Sequence, residues 1–186
     1  MVILRPTNKL RTFLPTSDVS GRSDTALGDW YVNRIVVGRQ PLLLLVSSAS
    51  LLPVVLPARD VRSLPHRLAD VVASRLRRVG IEAETIDAEV RTMHPVCIAP
   101  TVNRSVLGIM VDFAKALPYF SGDLRTETGR AALEDWLART PCHAGSSGDR
   151  VVFPDRKAPD LLRTAWHADS GPSPCPAVAS AEADVS

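Results

Sequence analysis

Trp30-Tyr-Val-Asn-Arg-Ile-Val-Val37, Gly38-Arg-Gln-Pro41, Leu42-Leu-Leu-Leu-Val46, Ser47-Ser-Ala-Ser50 and Leu51-Leu-Pro-Val-Val-Leu56 follow one another without a gap, and the fold turns on how they are read. Three runs of β-branched, aromatic and aliphatic residues are separated by two short breaks, the pattern of strands joined by tight turns. They predict an antiparallel meander. The middle run has no polar alternation, which predicts a central strand buried on both faces. Pro53 cannot donate to a ladder, so the third run is expected at an edge or a bulge.

Outward from the meander the period changes. Leu64, Leu68, Val72, Leu76 and Val79 recur at spacings of four and three, which predicts an amphipathic helix over 64–79 that Gly80 ends. Ile81 to Met93 predicts a second helix with Ile86, Val90 and Met93 inward. Before the meander, Val2 to Leu4 predicts a short strand, and Thr7 is placed to cap a brief helix carrying Leu10, Phe13 and Leu14. After the helices, His94 to Ala99 alternates like a half-buried strand. Thr101 to Ala114 then opens with polar residues and continues with Val106, Met110, Phe113 and Leu117 on one helical face, with Asn103 or Ser105 as cap and Gly108 allowing close packing on the sheet. Further on, Arg125 to Arg139 and Pro159 to His167 predict two more helices around a loop over 140–150.

The fold class expected from these elements is α+β, a mainly antiparallel sheet of a β-meander plus additional strands, covered by amphipathic helices. The expected organisation is a compact domain over residues 1–120, a helical extension over 121–168 and a disordered tail over 169–186. The last of these is Ala, Ser and Pro with little to bury.

Composition sets outer limits. The 186 residues carry a formal net charge of +2, too little to draw a nucleic acid or membrane surface by bulk charge. Cys97, Cys142 and Cys175 are odd in number and widely spaced, which argues against a disulfide framework. No basic region is followed by a long apolar run at the N-terminus, and the greasiest stretch, Leu42 to Pro57, is interrupted by serines and prolines. A cytoplasmic protein without a membrane partner is expected. Only Lys9, Lys115 and Lys157 among 22 basic residues are Lys, a usage typical of GC-rich bacterial genomes.

Several collinear segments together resemble a known bacterial family, domain of unknown function 6933. They are Met1-Val-Ile-Leu-Arg-Pro-Thr7, Ala26-Leu-Gly-Asp-Trp-Tyr31, Pro41-Leu-Leu-Leu-Leu-Val46, Leu51-Leu-Pro-Val-Val-Leu-Pro57 and Asn103-Arg-Ser-Val-Leu-Gly108. Where the family pattern usually reads Met-Asn-Asp-Phe, this chain has Met110-Val-Asp-Phe113. The resemblance implies a compact α+β bacterial protein and brings no activity, substrate or cofactor with it.

Two surfaces are candidates for chemistry. Asn103, Arg104 and Ser105 gather a guanidinium, a hydroxyl and free N–H groups at one helix N-terminus, a chemistry that suits a phosphate or carboxylate. Asp29 and Trp30 with Asp112 complete a candidate ligand site if the chain folds them together; otherwise Asn103 or Ser105 caps the helix, Arg104 pairs with a residue such as Asp29, and Trp30 packs in the core. The second surface is the arginine run. Six arginines between positions 59 and 78 face only Asp60 and Asp70, so Arg67, Arg75, Arg77 and Arg78 form a candidate nucleic-acid face. Against it, Glu82, Glu84, Asp87 and Glu89 on the next helix are placed to offset that charge.

His94 with Cys97, and Cys142 with His143, lack paired zinc-site spacings, and no Gly-x-Ser-x-Gly elbow is present. No metal or cofactor is implied, and the pattern assigns no catalytic residue. The reading that best fits the missing catalytic constellation and the aromatic and arginine content is a non-catalytic accessory module binding a protein partner. A small-ligand or anion-binding protein, or an enzyme using Arg104, Ser105 and Asp29, is the alternative, and nucleic-acid binding is a third.

Overall fold

The computed structural model describes residues 1–17, 19, 21–143 and 151–166; the expected tail over 169–186 and most of the loop over 140–150 lie outside them. Val2–Pro6 (β1), Trp30–Val37 (β2), Gln40–Ser47 (β3), Pro53–Pro57 (β4) and Val96–Ile98 (β5) form one sheet in the order β4-β3-β2-β1-β5.

The meander is present, with Tyr31 opposite Val46 and Leu44 opposite Val55 in antiparallel ladders. The expectation of a mainly antiparallel sheet is corrected: β1 lies between β2 and β5 and runs parallel to both, pairing Leu4 with Trp30 and Val2 with Val96. The sheet is therefore mixed, and its middle strand is β2 rather than β3. Parallel neighbours are joined by long crossovers, not hairpins, so no turn signal between Pro6 and Trp30 announces the pairing.

Strand alternation sends each run to two cores. Leu43, Leu45, Trp30, Val32, Val2 and Leu4 face one cluster, which is closed by Leu64–Val79 (α1), Ala83–Thr92 (α2) and Pro154–Trp166 (α5). Leu42, Leu44, Val46, Tyr31 and Val55 face the other, closed by Arg104–Ala116 (α3) and Glu127–Ala138 (α4). This is why the middle run reads as unbroken apolar residues: both faces of β3 are covered. Leu133 and Leu137 of α4 belong to one core, and Ala158 and Leu162 of α5 to the other.

Local signals hold where they are strongest. Leu64, Leu68, Val72 and Leu76 are all buried along α1, about 1.5–3 kcal/mol each before conformational entropy is counted. Gly80 ends the helix in the left-handed region at φ +85, its N–H donating to the carbonyls of Arg77 and Leu76. Asn103 caps α3 by accepting from the Ser105 and Val106 N–H groups. Gly108 is a correction: it is exposed, and a Cβ there would meet nothing within 4 Å, so it does not serve close packing on the sheet.

The outer edge of β4 is chemically closed. Leu52 bonds inward to β3 through its carbonyl, so by alternation Pro53, Val55 and Pro57 turn their backbone donors outward. Two of the three are prolines with no N–H, and the third, Val55, donates to Glu134 Oε1 at 2.7 Å. No outward N–H of β4 is left to recruit another strand.

Candidate functional site

The polar residues around the start of α3 are drawn together by Arg5. This side chain, 5% exposed on the same sheet face as Tyr31, donates from Nε to Asp29 Oδ2 at 2.5 Å and from Nη1 to the Pro100 carbonyl at 2.6 Å. The other Asp29 oxygen accepts from the Ser23 hydroxyl and N–H. The Tyr31 hydroxyl accepts from the Asn103 N–H at 3.0 Å. The result is a brace between β1, β2 and the segment leading into α3.

Among the predicted site residues, Asp29 is thus engaged, and its guanidinium partner is Arg5 rather than Arg104. Arg104 and Ser105 are exposed in the first turn of α3, with no side-chain ion pair for Arg104 among the described residues. Trp30 is fully buried in the core, so its ring is not available to stack on a ligand. Asp112 is two helical turns beyond Arg104, about 12 Å along the axis. It pairs with Lys115 at 3.7 Å, and its charge helps burial push the Cys142 thiol up to about 11. Arg5 carried its own sequence signal: a lone charge inside an apolar strand that the family resemblance includes.

Gly28, within the same segment, has φ +73, and a Cβ there would lie 2.5 Å from Ser48 Oγ. That oxygen accepts the Asp29 N–H at 2.8 Å. One turn away, Glu89 of α2 accepts the N–H groups of Ala26 and Leu27 and the Trp166 indole N–H, at 2.9, 3.0 and 3.0 Å. Burial pushes the Glu89 carboxyl above its ordinary value, against these three donors that pull it down.

The arginine run of α1 does not form one face. Arg75 is 1% exposed and bonds Asp135 Oδ1 at 2.5 Å and the Glu134 carbonyl at 3.2 Å, so it cannot reach a phosphate backbone. Arg78 is held by Glu134, and Arg67 lies 3.8 Å from Asp60. Arg77 alone of the four is exposed and without an ion pair among the described residues. The offsetting carboxylates are on α4 and at Asp60, not on α2 as the sequence suggested. The buried Glu134 carboxyl is raised by desolvation, while Val55, Arg78 and Arg75 pull it down. A cleft of about 370 Å³ lies beside it, with Arg59, Arg67, Arg78 and Arg130 balanced by Asp60, Asp70, Glu127 and Glu134.

Uncompensated charge collects elsewhere. β2 runs on past Pro6, the last β1 residue in register with it, and a hollow of about 800 Å³ opens beside that overhang. Lys9 comes from the single turn Asn8–Leu10 after β1, Arg34 from the overhanging part of β2, and Arg59 and Arg62 from the turn after β4. Leu10 and Leu14 anchor the first turn in the core, leaving Phe13 43% exposed, with the Arg62 guanidinium 5.8 Å from its ring centre. Among the described residues, no carboxylate lines the hollow. Arg59 is paired with Asp60 at 3.9 Å, and Lys9, Arg34 and Arg62 have no ion pair among the described residues. Sequence reading missed this cluster because its members lie on three segments, none of them rich in charge except the last.

Among the described residues, no helix is long and apolar enough to cross a membrane. No curated protein and no solved structure matches the chain. The family model described as a domain of unknown function, DUF6933, matches residues 3–157, spanning every strand of the main sheet and both segments joined by the Arg5–Asp29 brace, and the chain belongs to that family.

Proposed function

We propose that the chain is a non-catalytic accessory module that binds an anionic macromolecular partner through the hollow of Lys9, Phe13, Arg34, Arg59 and Arg62. The observation that carries this reading is the set of cations around one concavity that no carboxylate among the described residues lines: Lys9, Arg34 and Arg62 have no ion pair among those residues, and Arg59 alone is paired, with Asp60. A surface that keeps like charges together without neutralising them costs self-repulsion and is explained by a partner that supplies the opposite sign. The carboxylates that sequence and burial make conspicuous, Asp29, Glu89 and Glu134, are engaged in holding backbone and arginine groups. An acidic protein segment and a phosphate backbone both satisfy the chemistry of the hollow, and aromatic and arginine residues are those that interfaces favour.

Retention on a heparin column tests it. The wild-type chain is expected to be retained at low salt, the Arg34→Glu, Arg62→Glu double variant to elute early, and Arg77→Glu, on exposed α1 surface, to match wild type. Equal retention of all three sinks the proposal.

A further inference from the structure

We infer that the partner seated in this hollow is single-stranded nucleic acid, with one base stacked on Phe13 and the backbone running along Lys9, Arg34, Arg59 and Arg62. This rests on the preceding reading of the hollow and goes beyond it in naming the partner's chemistry.

Two observations favour a nucleic-acid strand over an acidic peptide. The first is the exposed ring. Phe13 stands at the rim with Leu10 and Leu14 buried on either side, so the turn fixes the ring's position while 43% of the residue stays open to solvent. A peptide carboxylate gains nothing from an aromatic face, whose quadrupole repels anions. A nucleobase gains a stacking partner whatever its identity. Arg62, already over the Phe13 ring at 5.8 Å, is placed to contact the phosphate next to a base stacked there.

The second is the spread and type of the cations. Three of the four are Arg, whose planar fork matches phosphate oxygens, and the four cations together come from three separate segments around the concavity instead of one point. That arrangement follows a chain of phosphates and exceeds what one carboxylate would need. A volume of about 800 Å³ is at the upper end of small-ligand sites and admits a short single-stranded stretch, whereas a stacked duplex does not expose a base face to Phe13.

Anisotropy of a fluorescein-labelled ten-nucleotide oligothymidine, with the full chain, provides the test. If all four cations engage phosphates, affinity falls about fiftyfold between 50 and 200 mM salt, from a slope of about 0.7 per phosphate on a single strand. Phe13→Ala is expected to weaken binding about tenfold, the worth of one stacked base, and to abolish the preference for oligothymidine over an abasic strand of equal length. Arg34→Glu should weaken binding to both strands, and Arg77→Glu to neither. Phe13 is half exposed, so a circular dichroism spectrum matching wild type is expected for its variant.

Equal affinity for abasic and thymidine strands, or an unchanged Phe13→Ala, overturns the inference. If poly-glutamate binds in an Arg34-dependent way while oligothymidine does not, the nucleic-acid assignment falls and the anion-binding module stands. If no polyanion binds, both fall.

Discussion

Removing the carboxylate of Glu134 exposes the energetic logic of the α1–α4 contact. Glu134→Ala leaves the outward Val55 N–H without its 2.7 Å acceptor, a cost of about 1–3 kcal/mol for a buried donor. It also strips one countercharge from Arg75, whose side chain is 1% exposed; orphaning a buried charge costs about 3–5 kcal/mol. Asp135, bonded to Arg75 at 2.5 Å, remains and keeps the second cost near the low end. A total of about 4–6 kcal/mol follows, a large fraction of ordinary stability and about 8–24 °C in Tm for a domain of this size. Thermal and urea unfolding followed by circular dichroism measure it. Because the penalty comes from an orphaned cation, Arg75→Met in the Glu134→Ala background should recover part of it, a coupling well above 0.5 kcal/mol. A Tm loss under about 3 °C, or strictly additive effects of the two substitutions, would refute the reasoning.

Three further outcomes are expected. Gly28→Ala places a Cβ 2.5 Å from Ser48 Oγ at φ +73 and should destabilise more than Gly80→Ala, which has φ +85 but nothing within 4 Å; the difference in Tm isolates the collision from the backbone strain. Gly108→Ala fills open space on the exposed side of α3 and should stabilise by about 0.5–1 kcal/mol, read from the urea midpoint; a loss would mean that a neighbour packs against α3 at that position. Glu89 is raised above its ordinary 4.5, so the folded chain holds that proton more tightly than the unfolded one, and its contribution is full below pH 4.5 and lost as pH rises through the folded value. The Tm difference between wild type and Glu89→Gln should therefore shrink with rising pH; a difference that grows instead would show that the three N–H donors outweigh burial.

The legible parts of this fold are those whose causes are local. The period of Leu64 to Leu76 and the Gly80 stop are written within 17 residues, and Asn103 caps a helix that starts one residue later. β1 shows the opposite case: its apolar run predicts a strand, but its place between β2 and β5 depends on packing across long crossovers. Arg75 lay between these extremes. It sits seven residues after Leu68 and three after Val72, on the buried stripe of α1, so the helical period itself separates it from Arg77. Asp29 was recognised as a polar group of consequence, yet its partner Arg5 stands 24 positions away and no local pattern pairs them. The basic hollow was the least legible feature, because charge compensation is a property of neighbours in space.

Glu89 gathers backbone from the start of the meander and an indole from the end of the last helix. Trp166 follows Glu89 by 77 positions. At synthesis rates of about 5–20 residues per second, the carboxylate is made about 4–15 s before the indole that completes its shell. During that interval two of its three donors can already be in place while α5 has yet to cover the site. The corner where Ala26 and Leu27 meet α2 therefore receives its last hydrogen bond only after α5 has been made.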